Sequence, residues 1–265
     1  MKINKKESPK ETSQETSWDK VAGWYDELLE ESPDSFQAKV ILPNLLRILR
    51  TQPGMKIIDI ACGQGYFSRA LASAGAVVTG VDISGELIGK AIGRSPKTIS
   101  FCVSRADKLA FAKDASFDVA VIILSLQNIE NISGTLSECA RVLKPQGRLI
   151  IVLNHPTFRI PQKSSWDWDE KKGKQYRRIE SYLKEYQTKI DMTPGEKDQA
   201  KKKYTISFHR PLQSYFKFFN QAGFAVSNLE EWISHKKSQK GPRSIEEDRI
   251  RKEIPMFLML EARKI

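Results

Sequence analysis

Residues 57–68, with the sequence IIDIACGQGYFS, constrain the fold more than any other stretch of the chain. An apolar run typical of a buried parallel strand ends there in an acid, and two glycines follow one residue apart. Gly63 and Gly65 allow the backbone to turn tightly beside a ligand, and a helix is predicted over residues 66–74. Because open α/β sheets bind ligands at the carboxyl ends of their strands, we predict a ligand site at this turn.

Predicted strands alternate with predicted helices from this point on, which favours an α/β fold with a mainly parallel sheet. Two stretches break the alternation. Residues 155–210, rich in lysine and aromatic residues, are interpreted as a partly helical insertion, and the charged residues 234–253 as an exposed loop. The seven predicted strands lie at residues 57–60, 76–82, 98–103, 117–124, 148–153, 224–229 and 256–262.

The net charge of +11 is concentrated in the C-terminal part of the chain. Residues 159–265 carry a net charge of +9 and residues 1–158 carry +2, which indicates either a solvated basic face or an anionic partner. Residues 1–16 are polar and charged, as expected of a disordered arm and not of a secretory signal. No apolar run approaches the roughly 20 residues of a membrane helix, so we expect a cytoplasmic protein without a membrane span. The three cysteines lack metal-ligand spacing, and no metal site is predicted.

The acid and glycines of residues 59–65, DIACGQG, suit either a dinucleotide or S-adenosylmethionine. A nicotinamide dinucleotide site requires a third glycine in G-x-G-x-x-G, and this chain has Ser68 at that position. Asp59 lies at the strand end just before the turn, where a carboxylate repels a pyrophosphate but suits an ammonium or sulfonium group. These two residues favour a ligand that is cationic at one end and carries no phosphate.

The stretch resembles motif I of the class I S-adenosylmethionine-dependent methyltransferases, and the resemblance covers residues 18–153 and 211–265. It implies a Rossmann-like α/β fold with a seven-stranded, mostly parallel sheet in the order 3-2-1-4-5-7-6, strand 7 antiparallel, and helices on both faces. It also implies that residues 17–265 form a methyltransferase domain in which residues 155–210 are an inserted cap over the acceptor. S-adenosyl-L-methionine is the expected cofactor.

The resemblance assigns cofactor contacts to acids at three successive strand ends. Asp59 is expected near the amino-acid end of the cofactor, Asp82 at the ribose hydroxyls and Asp107 at the adenine amino group. A single ionised carboxylate can accept charge-assisted hydrogen bonds from both ribose hydroxyls. Tyr25 is expected to close over the cofactor. The full set of expected cofactor contacts is Tyr25, Asp59, Ala61, Gly63, Gly65, Asp82, Ile83, Ala106, Asp107 and Ser125.

Methyl transfer depends mainly on positioning, since the sulfonium is already activated, and positioning can supply roughly 7 to 11 kcal/mol. His155, after the fifth strand, is the candidate general base, and Asn128 is a candidate positioning residue. A structural histidine and tryptophans that pack the insertion onto the core are the alternative interpretations. The expected substrate contacts are Gln127, Arg159, Trp166 and His209.

We therefore expect an enzyme that transfers a methyl group by in-line displacement to a small-molecule acceptor, which the basic C-terminal part allows to be anionic. An RNA or other nucleic-acid methyltransferase and a non-catalytic S-adenosylmethionine-binding protein are the alternatives. The fourth strand ends in SLQN and not in the N/D-P-P-Y/F motif of adenine N6 enzymes, and no appended RNA-binding module is recognisable. The acceptor atom and the oligomeric state are left open by the sequence.

Overall fold

A computed structural model describes residues 17–23, 33–193 and 195–265 of the chain. The strands in the described part are β1 (Lys56–Ile60), β2 (Val77–Asp82), β3 (Ser100–Val103), β4 (Phe117–Ile123), β5 (Leu143–Asn154), β6 (Ser164–Asp169), β7 (Lys174–Ile179), β8 (Tyr186–Asp191), β9 (Tyr204–His209), β10 (Phe224–Trp232) and β11 (Phe257–Lys264). The α-helices that lie wholly within the described part are α1 (Leu42–Leu49), α2 (Tyr66–Ser73), α3 (Gly85–Arg94), α4 (Ile132–Val142), α5 (Leu212–Gln221) and α6 (Ser244–Glu253).

Seven strands form the central sheet, in the order β3-β2-β1-β4-β5-β11-β10. Strands β1 to β5 pair in parallel, whereas β11 is antiparallel to both β5 and β10. Since β10 and β11 are the sixth and seventh strands of this sheet along the chain, the predicted order 3-2-1-4-5-7-6 with an antiparallel seventh strand is confirmed. The carboxyl ends of the five parallel strands therefore meet at one edge of the sheet.

Strand β4 is buried on both faces, which explains its nearly continuous apolar sequence. Val119, Val121 and Ile123 belong to one hydrophobic cluster, which includes residues of α1 and α2. Ala120 and Ile122 belong to a second cluster, which includes residues of α4 and α5. Successive side chains of a strand point to opposite faces, so the sheet is the middle layer between two helical layers.

The prediction of a partly helical insertion at residues 155–210 is wrong. The described residues of this segment form two antiparallel hairpins, β6–β7 and β8–β9, and contain no α-helix. In β9, Thr205, Ser207 and His209 are buried while Tyr204 and Ile206 are exposed, which is the two-residue period of a half-buried strand. Small polar residues fill the buried positions of this strand, so its period is not visible as an alternation of apolar and polar residues.

Residues 234–253 were predicted to be an exposed loop, and their second half is instead helix α6. Arg249 forms ion pairs with Glu246 at 2.7 Å and with Glu253 at 2.5 Å, at the three- and four-residue spacings that stabilise a helix surface. The helix buries only Ile250 among its residues, so no apolar stripe marked it in the sequence. Within the described residues, no helix has the length and apolarity that crossing a bilayer requires.

The Phe101 ring on β3 packs where two glycines leave room for it. A Cβ atom added to Gly80 on β2 would lie 2.7 Å from the Phe101 ring and 2.9 Å from Cys62 Sγ. A Cβ on Gly65 would lie 3.0 Å from the same ring, and Gly65 has a φ of +81°. Because both glycines lack a side chain, the Phe101 ring of β3 can pack against β2 and against the turn that follows β1.

Gly80→Ala is expected to lower the free energy of unfolding by about 1–3 kcal/mol, because the new methyl group overpacks the Phe101 and Cys62 contact. Urea denaturation followed by circular dichroism measures this change. Gly89→Ala on α3 is the control, since a Cβ there meets no atom within 4 Å and alanine stabilises a helix by about 0.5–1 kcal/mol relative to glycine. Equal effects of the two substitutions would contradict the packing described for Phe101.

Candidate functional site

A cavity of about 290 Å³ lies at the carboxyl ends of the parallel strands, and we call it the strand-end cavity. The loops that follow β1, β2, β3 and β4 each contribute to its wall. Two further contributions come from the N-terminal segment and from strand β9. The lining residues are Ser17, Trp18, Ala61, Gly63, Asp82, Ile83, Leu87, Ser104, Arg105, Ala106, Asp107, Ile123, Leu124, Ser125, Asn128, Ile129, Glu130, Asn131, Ile206 and Phe208.

Asp82 is the buried acid of this cavity, with 7% of its surface exposed. Its Oδ2 accepts a hydrogen bond from the Gly63 amide at 2.9 Å, and its Oδ1 accepts one from the Ser84 amide at 2.9 Å. Burial raises the pKa of Asp82, while the amides of Ser84 and Gly63 act in the opposite direction. Since each carboxylate oxygen has a second lone pair, the fixed carboxylate can still accept from a ligand.

Asp59 lies behind the cavity wall and does not line it. It is almost fully buried and accepts a hydrogen bond from Ser68 Oγ at 2.6 Å. Burial raises the pKa of Asp59 to about 7, the Ser68 bond partly offsets this, and the charge of Asp82 raises it further. Ser68, which replaces the third glycine of a dinucleotide motif, thus holds the acid at the end of β1.

Two non-glycine residues at the ends of central strands have left-handed backbone conformations. Ala61 after β1 has a φ of 57° and Leu124 after β4 has a φ of 55°, and both line the cavity. Such conformations are uncommon outside glycine and concentrate at functional sites. Gly63, with a φ of 57°, also lines the cavity, whereas Gly65 packs on Phe101 and does not.

Asp107 lines the cavity with both oxygens already engaged by protein groups. Arg105 donates to it from Nε and a terminal nitrogen, each at 2.9 Å, and Asn131 Nδ2 donates at 2.8 Å. The Arg105 bond is the main reason that the pKa of Asp107 is lowered. An ionised Asp107 retains lone pairs for one more donor, and Ala106 beside it lines the same wall.

The end of β4 supplies a polar atom without a protein partner. Ser125 lines the cavity, and its Oγ is buried with no hydrogen-bond partner. Asn128 also lines the cavity, but Gln127 does not. Gln127 Nε2 donates to the Leu124 carbonyl at 2.6 Å, while its Oε1 is buried and unpaired.

The N-terminal segment reaches the cavity through Asp19. Its Oδ1 accepts from Ser84 Oγ at 2.5 Å and from the Glu86 amide at 3.3 Å, and Ser84 also caps α3 by accepting from the Leu87 amide. This contact places Trp18 and Ser17 in the cavity wall. Tyr25, the residue predicted to close over the ligand, lies outside the described residues.

Strand β9 adds an apolar wall that sequence reasoning missed. Ile206 and Phe208 line the cavity, as does Ile129 in the loop after β4. Arg210 joins the hairpin to this loop by donating to the Ile129 carbonyl at 3.2 Å and to the Glu130 carbonyl at 2.8 Å. The spacing of Ile206 and Phe208 two residues apart was the available signal, but it predicts a shared strand face and not the surface that the face contacts.

The two histidines predicted at the site lie outside the strand-end cavity. His155 is buried, donates from Nε2 to Glu231 Oε1 at 2.7 Å and accepts from the Thr157 amide through Nδ1 at 3.2 Å. Burial lowers the pKa of His155 despite the Glu231 contact. His209 donates to the Tyr182 carbonyl at 2.8 Å. The hydrogen bonds to Glu231 and Thr157 occupy both ring nitrogens of His155, which disfavours a role for His155 as general base.

Arg159 and Trp166, both predicted as substrate contacts, line a second cavity of about 370 Å³. This second cavity shares no lining residue with the strand-end cavity. The structure therefore brings Arg159 and Trp166 together but apart from Asp82 and Asp107. Among the described residues, no group of three or more His, Cys, Asp or Glu side chains is arranged to hold a metal ion.

Comparison with known proteins identifies the central part of the chain. Residues 58–151 match the family model described as a methyltransferase domain. A demethylmenaquinone methyltransferase from Tropheryma whipplei is 37% identical over 113 residues, which cover 42% of this chain and 46% of the relative. A ubiquinone biosynthesis O-methyltransferase from Aromatoleum aromaticum is 28% identical over 109 residues, 40% of this chain and 47% of the relative. The chain thus spans about half the length of the relatives it matches.

Solved structures extend the likeness over most of the described fold. A S-adenosylmethionine-dependent methyltransferase from Mesorhizobium loti matches with a TM-score of 0.64 and 25% identity, covering 83% of this chain and 96% of that one. The fold is therefore the Rossmann-like fold of S-adenosylmethionine-dependent methyltransferases. Residues 58–151 match a methyltransferase domain, and the neighbour from Mesorhizobium loti is described as S-adenosylmethionine dependent. S-adenosylmethionine is therefore the cofactor against which the strand-end cavity is compared.

The residues of the strand-end cavity fit this cofactor. The ionisable side chains that line it are Asp82, Asp107, Glu130 and Arg105, so acids outnumber bases, as a ligand with a cationic sulfonium requires. Asp82 retains lone pairs for hydroxyl donors, and Ser125 Oγ is an unpaired polar atom. Among the described residues of the lining there is no lysine that could pair with a phosphate.

Asp59→Asn is expected to stabilise the protein at alkaline pH. The pKa of Asp59 is about 7 in the folded state and 3.8 as its ordinary value, so the folded state holds the extra proton between these values. Stability therefore falls as the pH rises from about 4 to 7. The Asn variant does not ionise, and its free energy of unfolding at pH 8 is expected to exceed that of the wild type by as much as about 4 kcal/mol.

Urea denaturation at pH 5 and pH 8 tests this expectation, with a smaller difference expected at pH 5. Asp118→Asn is the control, because Lys144 and the Lys56 amide lower the pKa of Asp118 and the substitution should destabilise at pH 8. Identical pH dependence in the wild type and Asp59→Asn would contradict the environment described for Asp59.

Proposed function

We propose that this protein transfers the methyl group of S-adenosylmethionine to a small-molecule acceptor with an apolar ring. The observation that carries the proposal is the fixed, buried Asp82 carboxylate in a cavity whose lining acids outnumber its bases. The demethylmenaquinone and ubiquinone biosynthesis methyltransferases that this chain resembles support the acceptor class, because quinone precursors are small molecules.

The Asp82 carboxylate would accept hydrogen bonds from the two ribose hydroxyls, because the Gly63 and Ser84 amides already hold its oxygens in place. Asp107 would accept a hydrogen bond from the adenine amino group through a remaining lone pair. Ala106 and Ile83 would pack against the faces of the adenine ring. Ser125 Oγ would pair with a polar group at the methyl-donor end. Each of these roles uses a residue that lines the cavity.

The bound cofactor supplies an activated methyl group, so the protein's own task is to orient the acceptor and exclude water. Trp18 closes one side of the cavity, and Ile206 and Phe208 close another. Together with Ile129 these side chains form an apolar surface, which suits a planar ring more than a charged group. Asn128, in the same wall, would position the acceptor by hydrogen bonding.

Glu130 is the candidate general base for an acceptor that loses a proton. Asp82 and Asp107 are committed to backbone or arginine partners, and the described lining contains no histidine, cysteine, tyrosine or lysine. Arg210 fixes the backbone of Glu130 by donating to its carbonyl. This assignment replaces the earlier hypothesis of His155, whose ring nitrogens bind Glu231 and Thr157.

The direct test of the proposal is incubation of the protein with methyl-labelled S-adenosylmethionine and a fractionated cell extract. We expect label in the small-molecule or lipid-soluble fraction, as for a quinone precursor. Label in RNA would replace the proposal with a nucleic-acid methyltransferase. Tight binding of the cofactor with no labelled product in any fraction would identify a non-catalytic binding protein.

Asp82→Ala is expected to weaken the binding of S-adenosylhomocysteine by on the order of 2–4 kcal/mol, because two charge-assisted hydrogen bonds are lost. Isothermal titration calorimetry measures the affinity, and circular dichroism checks that the variant is folded. Asp198→Ala removes an exposed acid that pairs with Lys201 at 3.9 Å and accepts a hydrogen bond from the Ala200 amide at 3.0 Å, and it should leave the affinity unchanged. An unchanged affinity in Asp82→Ala would show that the ligand binds elsewhere.

Glu130→Gln and His155→Ala separate the two candidate bases. Glu130→Gln is expected to reduce turnover by about 10²-fold or more while leaving S-adenosylhomocysteine affinity unchanged. His155→Ala is expected to lower the thermal midpoint, because the buried contacts to Glu231 and Thr157 are lost, and to retain turnover while folded. The reverse pattern of turnover would restore His155 as the base.

A further inference from the structure

We propose that the second cavity, which we call the basic cavity, binds the anionic group of a small molecule, a phosphate or a carboxylate that is attached to an apolar body. The basic cavity has a volume of about 370 Å³. Its wall combines four cationic side chains with aromatic and aliphatic ones. The lining residues are Phe36, Arg159, Trp166, Ser234, Lys236, Lys237, Arg251, Ile254 and Met256.

None of these described lining residues is acidic, and two of the cations have no anionic partner within bonding distance. Lys236 pairs with Asp34, and Arg251 lies 3.6 Å from Asp248. In the described part of the chain, the Arg159 and Lys237 side chains form neither a hydrogen bond nor an ion pair with the protein. The Arg159 charge is therefore left for a ligand, while the Lys237 charge also acts on Asp248 without forming an ion pair.

Of these two cations, Arg159 gives the stronger indication of an anionic ligand. It lines the basic cavity and is solvent-exposed, and the neighbouring atoms lower the pKa of its guanidinium by partial desolvation. A second guanidinium, that of Arg177, is close enough to feel its charge. Arg177 is already used, since it donates to the Phe158 carbonyl and to Ser164 Oγ, each at 2.7 Å. Two neighbouring guanidinium groups without a carboxylate favour an oxyanion, which can accept two hydrogen bonds from Arg159.

The rest of the wall sets the kind of molecule that carries the anion. Phe36, Ile254 and Met256 give the cavity an apolar side, and the Trp166 ring adds an aromatic surface. Arg177 lies 5.0 Å from the centre of the Trp166 ring, which fixes the ring beside the cations. The anion is therefore expected to be joined to a ring or an aliphatic chain, as in an aryl phosphate or an aromatic acid.

The size and construction of the basic cavity favour a small ligand over a nucleic acid. A volume of about 370 Å³ lies within the range of small-molecule sites. Nucleic-acid grooves instead present rows of exposed cations that follow a phosphate backbone. Its wall includes separate parts of the chain around Phe36, Arg159, Lys236 and Met256, and ion pairs of Asp34 with His235 and Lys236 join the Phe36 part to the Lys236 part.

Isothermal titration calorimetry with phenyl phosphate, on the full chain at low salt, tests the proposal. Binding is expected for the wild type, with benzyl alcohol as the uncharged probe that does not bind. Arg159→Gln and Lys237→Gln are each expected to weaken phenyl phosphate binding by about tenfold or more, because a charge-assisted contact is lost. Lys217→Gln on α5 removes one charge outside both cavities and should change the affinity less than twofold.

Equal affinities in the wild type and the Arg159→Gln variant, or an equal loss in Lys217→Gln, would overturn the proposal. Binding of a homopolymeric RNA that requires Arg159, with no binding of phenyl phosphate, would also overturn it in favour of a nucleic-acid surface. The measurement does not involve methyl transfer, so its failure is distinguishable from failure of the proposed function.

A second experiment distinguishes whether the anionic group belongs to the methyl acceptor or to a separate ligand. If the basic cavity holds a charged group of the methyl acceptor, phenyl phosphate should inhibit the transfer of label to the small-molecule fraction. If it holds a separate ligand, phenyl phosphate should bind without inhibiting transfer. Both results support an anion site at Arg159, and they differ in the molecule that uses it.

Discussion

The bridge that Asp82 forms between two strand-end loops is the interaction on which the strand-end cavity depends. Its oxygens accept from the Gly63 amide after β1 and from the Ser84 amide before α3. Ser84 in turn caps α3 and donates to Asp19, whose segment carries Trp18 into the cavity wall. One carboxylate thus sets the positions of the glycine turn, the start of a helix and the covering segment.

This arrangement concentrates negative charge at the centre of the sheet edge. Asp59 and Asp82 are both buried, and the charge of Asp82 raises the cost of ionising Asp59. Ser68 compensates in part by donating to Asp59. A ligand with a cationic end relieves this repulsion, whereas a pyrophosphate increases it. The same physical constraint therefore explains why the site favours a sulfonium cofactor over a dinucleotide.

Much of the fold could be predicted from the sequence, because β4 is a nearly continuous apolar run and a glycine turn and a helix cap follow β1 and β2. The strand order and the acids at the ends of β2 and β3 were predicted correctly as positions in the sheet. The hairpins of residues 155–210 were not, since small polar residues occupy the buried face of β9 and lysines separate the strands. Helix α6 has no apolar stripe and was missed for a related reason.

The direction of a side chain was harder to predict than its place along the chain. His155 follows β5 as expected, but Glu231 on β10 holds its ring away from the strand-end cavity. Arg159 and Trp166 do share a cavity, yet a different one, because the β6–β7 hairpin lies beside the segment of Ser234 and Lys236. Ile206 and Phe208 reach the site through tertiary contacts that no local pattern encodes.

A crystal structure of the protein with S-adenosylhomocysteine tests the central claim most directly. The account predicts the adenosine group in the strand-end cavity, with both ribose hydroxyls about 2.7 Å from the Asp82 carboxylate oxygens. It also predicts the adenine ring beside Ala106 and Asp107. Adenosine bound in the basic cavity, or bound without contact to Asp82, would contradict it.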